Sequence, residues 1–136
     1  MTTYLLDTSA VIYLFEKRNP QVAALLSTVA PDPTFVMSIV TRGELAEGIK
    51  SASPHVLAQR METKRRASAH GQWVQPDAAI ADRWGELASV SPRSVRANDL
   101  WIAATALELA ATLVTGDTRL SELVSRVGGS AICVSD

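Results

Sequence analysis

Four carboxylates in this sequence stand where apolar runs meet turns, and acids placed so are candidates for chemistry. Asp7 lies within "TYLLDTSAVIYLF", Glu44 within "SIVTRGELAEG", Asp99 within "NDLWIAATAL" and Asp117 within "TLVTGDTRLSEL". Acids that converge without matching cations repel one another and raise each other's pKa. A hard divalent cation relieves that repulsion. Mg²⁺ and Mn²⁺ prefer oxygen ligands, keep several waters and are commonly shared between a few carboxylates and substrate phosphates. Such an ion can acidify a water and stabilise the charge that builds up when a phosphodiester is displaced. Zinc chemistry is not supported, because His55 and His70 stand without partners and Cys133 is the lone cysteine.

The elements that would carry these acids can be read from periodicity. Short apolar runs at Tyr4–Leu6, Thr34–Met37, Trp73–Val74, Thr112–Thr115 and Ala131–Val134, mostly rich in β-branched or aromatic side chains, read as strands. Between them "SAVIYLFEKR", "QVAALLSTVA", "TRGELAEGIKSA", "HVLAQRMETKRRASAH", "DAAIADRWGELASV" and "NDLWIAATALELA" show apolar residues at helical spacing. Strands that alternate with helices imply right-handed crossovers and a mostly parallel α/β sheet covered on both faces. Asp7 and Asp117 then end parallel strands on one rim, and Glu44 and Asp99 enter helices that start from it. That rim is where open α/β sheets bind ligands.

Each acid also has a plain structural reading. Asp7 before "TSAVI" is a good N-cap, and Asp99 and Asp117 each precede a helical pattern. The spacing Thr41–Arg42–Gly43–Glu44 fits a capping box, with Glu44 bonding back to the Thr41 backbone. Taken singly the caps explain each residue as well as chemistry does. Four on one rim is what favours chemistry.

Composition limits the classes of function. The chain has 136 residues, 47% hydrophobic and 20% charged, which suits one folded domain over residues 1–136 with no linker or internal repeat. No stretch is long enough to span a bilayer, and "MTTYLLDTS" lacks the basic segment and apolar core of a signal peptide, so a cytoplasmic protein is expected. The formal net charge is −1. Setting aside the four rim acids leaves ten of the 14 Asp and Glu against 13 Lys and Arg, so the rest of the surface carries a formal excess of about three positive charges. Arg93 and Arg96 in "SPRSVRAND" directly precede Asp99 and are the best candidates for phosphate contact. Arg60, Lys64, Arg65 and Arg66 fit a solvated helix face or a second approach to nucleic acid. Trp73, Trp84 and Trp101 read as packing residues, since no basic residues alternate with them as in a base-stacking surface.

Together, "YLLDTSAVI", "SIVTRGELAEGI" and "NDLWIAATALELAATLVTGD" resemble the PIN-domain ribonucleases, and within them the VapC-type toxins of bacterial toxin–antitoxin pairs. The resemblance runs over nearly the whole chain. It implies a PIN-like three-layer sandwich with a parallel sheet of about five strands in the order 3-2-1-4-5. It implies Mg²⁺- or Mn²⁺-dependent cleavage of RNA, with Asp7, Glu44, Asp99 and Asp117 as the acidic quartet and Asp7, Asp99 and Asp117 as metal ligands. Thr8, Ser9 and Thr115 match as hydrogen-bonding support. It also implies a homodimer held in check by a small cognate antitoxin. The apolar residues Val11, Ile12, Leu14, Phe15, Val22, Leu25 and Leu26 of the first two helices suggest where an antitoxin segment would lie.

Two other classes are weighed against this. A phospho-accepting receiver domain also gathers acids around Mg²⁺, but it needs a Lys at a late strand end, and only Lys17, Lys50 and Lys64 exist. A non-catalytic PIN-like scaffold has no reason to keep four repelling acids. Which RNA is cut leaves no linear motif, because RNA recognition reads loops and unstacked bases through scattered residues.

Overall fold

The apolar runs pair side by side as short parallel strands. In this computed structural model, which describes residues 2–27 and 35–135, the elements are β1 (Tyr4–Leu6), α1 (Thr8–Phe15), α2 (Pro20–Ser27), β2 (Phe35–Ser38), α3 (Ile39–Lys50) and α4 (Pro54–His70), followed by β3 (Gln72–Val74), α5 (Ala78–Val90), α6 (Ala97–Glu108), β4 (Thr112–Thr115), α7 (Thr118–Arg126) and β5 (Ser130–Cys133). Every strand pair is parallel. The spatial order is β3-β2-β1-β4-β5, as the resemblance implied.

Side chains alternate across the sheet and divide the core in two. On one face Leu5 and Leu113 pack with Ile80 and Leu87 of α5, Ile102 and Ala103 of α6, and Leu120 and Leu123 of α7. On the other, Leu6 and Val114 pack with Val11 of α1, Val22 of α2, Leu45 of α3 and Ala67 of α4. Three layers result. Both central strands are fully buried at these positions, which explains their continuous rather than alternating hydrophobicity. Covering a side chain such as Leu113 contributes about 1.5–3 kcal/mol.

Element ends follow local chemistry, and several differ from the expected ones. α1 stops at Phe15, short of the expected Arg18, which takes a left-handed φ of 51°. α2 begins on Pro20, and the buried Asn19 side chain accepts from the Gln21 and Val22 amides, 2.9 and 3.3 Å away. The expected continuation of α2 to Ala30, the start of β2 at Thr34 and the side chain of Leu26 lie outside the described residues. "SASP" breaks the chain between α3 and α4 as expected. Gly128, with φ +90°, turns the chain from α7 into β5. Cys133, expected as an apolar strand residue, is exposed on that edge strand. Among the described residues, no helix is long and apolar enough to cross a membrane.

Candidate active site

The strand register sets the site. Leu6 pairs with Val114, so Asp7 and Thr115 emerge next to each other between β1 and β4. In the order β3-β2-β1-β4-β5 this is the point where the chain's progress across the sheet reverses, and a crevice opens at the strand ends.

Asp7 is only 4% exposed, yet all its contacts are accounted for locally. Its Oδ1 accepts from the Ala10 amide at 2.9 Å and from the Ser9 hydroxyl at 2.7 Å, and its Oδ2 accepts from the Thr115 hydroxyl. Cap and site residue are therefore one and the same. The two hydroxyls also tie the rim together, because Ser9 accepts from the Gly116 amide at 2.9 Å and Thr115 accepts from the Asp117 amide at 3.0 Å. Tyr13 packs closely over Gly116 at this corner, so a Cβ there would require the Tyr13 ring to shift. Burial pushes the Asp7 carboxyl above its ordinary range. Hydrogen bonds from Ser9, Thr115 and Ala10 oppose that shift, and the charge of Asp99 adds to it.

Glu44 is not part of a capping box. Ser38 caps α3 through the Val40 amide at 3.1 Å, which starts the helix at Ile39 and leaves Glu44 in its second turn. There its Oε1 lies 2.6 Å from Thr8 Oγ1. Thr8 is also 3.1 Å from the hydroxyl of Thr41, a fully buried residue that sequence reasoning treated only as a cap. Spacing i, i+3 on one helix face was the available signal for Thr41 beside Glu44.

Asp99 is likewise not a cap. α6 begins at Ala97, with Arg96 in the capping position, so Asp99 is in the first turn, where a carboxylate complements the helix dipole. Partial burial raises its pKa, Glu44 and Asp117 raise it further, and Arg96 pulls it back. Asp117 does cap α7, its Oδ1 accepting from the Arg119 and Leu120 amides at 2.9 and 3.4 Å. The four acids thus sense one another across the rim through Asp99.

Arg96 places its guanidinium against Asp99 and Glu44, at 3.4 and 3.5 Å. Arg93 is exposed in the same connection. The α4 cations serve their own helix and its neighbours: Arg60 donates to the Gly48 carbonyl at 2.7 Å, Arg65 pairs with Glu62 and Arg66 lies over the Phe15 ring. His70 is exposed and stacks on Phe15, and Trp84 stacks on Trp101 beside the core.

The donor set on the rim is all oxygen, carboxylate and hydroxyl, which suits a hard divalent ion in kind. Among the described residues, no three His, Cys, Asp or Glu side chains are already gathered tightly enough to hold an ion. Asp99 and Glu44 instead face Arg96.

A groove of about 240 Å³ runs from this rim between α1, α3 and α4, lined by Thr8, Ile12, Glu16, Glu44, Leu45 and Thr63. Of the apolar residues singled out in the first two helices, Ile12 lines it, while Val11 and Val22 are fully buried in the core.

Fold and rim together define a three-layer α/β protein with an acidic site at the switch point of its sheet. The PIN domain family model matches residues 4–125, and the chain belongs to that family. Ribonuclease VapC1 of Haemophilus influenzae is 30% identical over 119 residues, 85% of this chain and 87% of that protein. The VapBC-1 structure from nontypeable Haemophilus influenzae superposes with a TM-score of 0.79 at 26% identity, covering 97% of this chain and 98% of that one. VapBC-5 of Mycobacterium tuberculosis, a member of the VapBC family of toxin–antitoxin systems, has a TM-score of 0.73 at 26% identity over all of both chains.

Proposed function

We propose that this chain is a Mg²⁺- or Mn²⁺-dependent endoribonuclease that acts as the toxin of a toxin–antitoxin pair. Membership of the PIN family and likeness to a ribonuclease VapC support the reaction class. The observation that carries the metal dependence is Asp7, a carboxylate fixed by three donors yet held in a buried position that disfavours its charge. Structure alone does not need an acid there, since a Ser or Asn would cap α1 as well.

In this reading Asp7, Asp99 and Asp117 hold the ion, with Ser9 and Thr115 fixing Asp7. When bound, the ion supplies Lewis acidity for hydrolysis of a phosphodiester. Glu44, one oxygen held by Thr8, is positioned to take a proton from an attacking water. Arg93, exposed three residues before Arg96, is the candidate for contact with a phosphate backbone. The groove between α1, α3 and α4 receives a segment of a small cognate antitoxin, whose presence there would cover Glu44. Two copies form a homodimer, and the protein works in the cytoplasm on an RNA substrate.

The test is cleavage of mixed RNA by the purified, antitoxin-free chain with Mn²⁺, with Mg²⁺ and with chelator. Internal cuts that depend on either ion are expected. Equal cutting in chelator would remove the metal, and no cutting of any RNA by a folded sample would favour a non-catalytic scaffold.

A further inference from the structure

Arg96 caps α6 by position but makes no capping bond with its side chain. Its guanidinium instead reaches across the rim, with Nε 3.4 Å from Asp99 Oδ2 and Nη2 3.5 Å from Glu44 Oε2. The exposures are unequal: the Arg96 side chain is 71% exposed, against 13% for Asp99 and 16% for Glu44. A solvent-borne arm thus lays one positive charge on two largely covered acids. Both distances are at the long limit of a hydrogen bond, so the contact is chiefly charge on charge and lacks the short, parallel geometry of a locked fork.

We propose that Arg96, held against Glu44 and Asp99, is a tethered cation that competes with the divalent ion for Asp99 and so sets the metal concentration at which the site fills. The inference rests on the reading of the rim as a metal site. Two positive charges cannot share these carboxylates without repelling one another, so binding of the ion requires Arg96 to swing away or weakens its hold. The side chain is free to do so, because most of it lies in water and its bonds there are weak. Asp99 and Glu44 are the two acids within ion-pair reach of the Arg96 guanidinium, and both favour its charge. Arg96 is a positioning residue in this scheme. It need not touch substrate.

Titration of the full chain with Mn²⁺, followed by calorimetry at about 0.1 M salt, tests the idea. Arg96→Gln should bind Mn²⁺ about tenfold more tightly than the parent, a difference that shrinks in 1 M salt. Arg96→Lys keeps the charge and should bind close to the parent. Arg126→Gln removes the same formal charge in the last turn of α7, at the opposite end of that helix from Asp117, and should also stay close to it. In chelator, Arg96→Gln should melt at a lower temperature than the parent, because the acids lose their counter-charge. Mn²⁺ affinity that is unchanged or weaker in Arg96→Gln, or equally tightened in Arg96→Lys, overturns the competition while leaving the metal site intact. Absence of Mn²⁺ binding in the parent and every variant defeats the metal reading itself, and the competition with it.

Discussion

Asp7→Asn is expected to lower RNA cleavage by at least about a hundredfold while leaving the chain folded. Loss of groups that merely orient metal ligands already costs about 10–100-fold, and Asp7 is proposed as a ligand itself. The stability expectation has the opposite character. Asn keeps an oxygen for the Ala10 amide and the Ser9 hydroxyl, and it caps as well as Asp. It loses the acceptor that faces Thr115, worth about 1 kcal/mol, but it also removes a charge that burial penalises. In chelator the variant should therefore melt at or above the parent's temperature, while the rise in melting temperature that Mn²⁺ produces in the parent should largely vanish. Asp77 provides the control. It caps α5 with the same geometry, accepting from the Ile80 amide at 2.9 Å, but it is exposed and starts a helix after the edge strand β3. Asp77→Asn should leave cleavage unaltered. Cleavage that survives Asp7→Asn would mean that Asp7 is only a cap.

Acidification should move activity and stability in opposite directions. Burial raises the pKa of both Asp7 and Asp99 above the ordinary value of 3.8. Each must be ionised to hold an ion, so once pH falls below both folded values, metal binding loses two protons' worth of affinity, about a hundredfold per pH unit. Cleavage at subsaturating metal should follow. For stability in chelator the sign reverses: a carboxyl whose folded pKa exceeds its unfolded pKa binds more protons when folded, so stability is gained as pH falls through the folded value and is complete below the unfolded one. Between neutral pH and about 4, the parent's melting temperature in chelator should therefore carry a rising contribution from these groups that Asp7→Asn reduces. Activity that is flat across that window contradicts the placement of Asp7 and Asp99 among the ligands.

How much of this was legible differs from residue to residue. A parallel sheet covered on both faces was legible in the alternation of short apolar runs with helical patterns, whereas its order 3-2-1-4-5 came from the resemblance to PIN proteins alone. Helix starts were less legible. Ser38 closes β2 and caps α3 at once, so the helix begins two residues before "TRGE" and the capping-box spacing at Thr41–Glu44 is coincidental. Asp99 looked like a cap because a polar pair precedes an apolar run, yet α6 begins at Ala97. Thr8, Ser9 and Thr115 were visible as hydroxyls near acids, whereas their pairing was not: Thr8 serves Glu44, 36 positions away, and Thr115 serves Asp7, 108 positions away. The second is set by strand register and the first by the packing of α1 against α3, neither of which a local pattern encodes. Arg96 was legible as a cation near the rim but not as the counter-charge of Glu44, because one rotatable side chain decides which charge it meets.

Anomalous diffraction from crystals soaked in Mn²⁺ tests the central claim most directly, since it shows where the ion sits without relying on turnover. The account predicts a peak at the carboxyl rim between β1 and β4, within coordination reach of Asp7, Asp99 and Asp117, with Arg96 displaced from Glu44 and Asp99. The same soak of Asp7→Asn crystals should give a much weaker peak. A rim that stays without a peak at Mn²⁺ concentrations that support cleavage, or an ion bound only elsewhere on the protein, would contradict it.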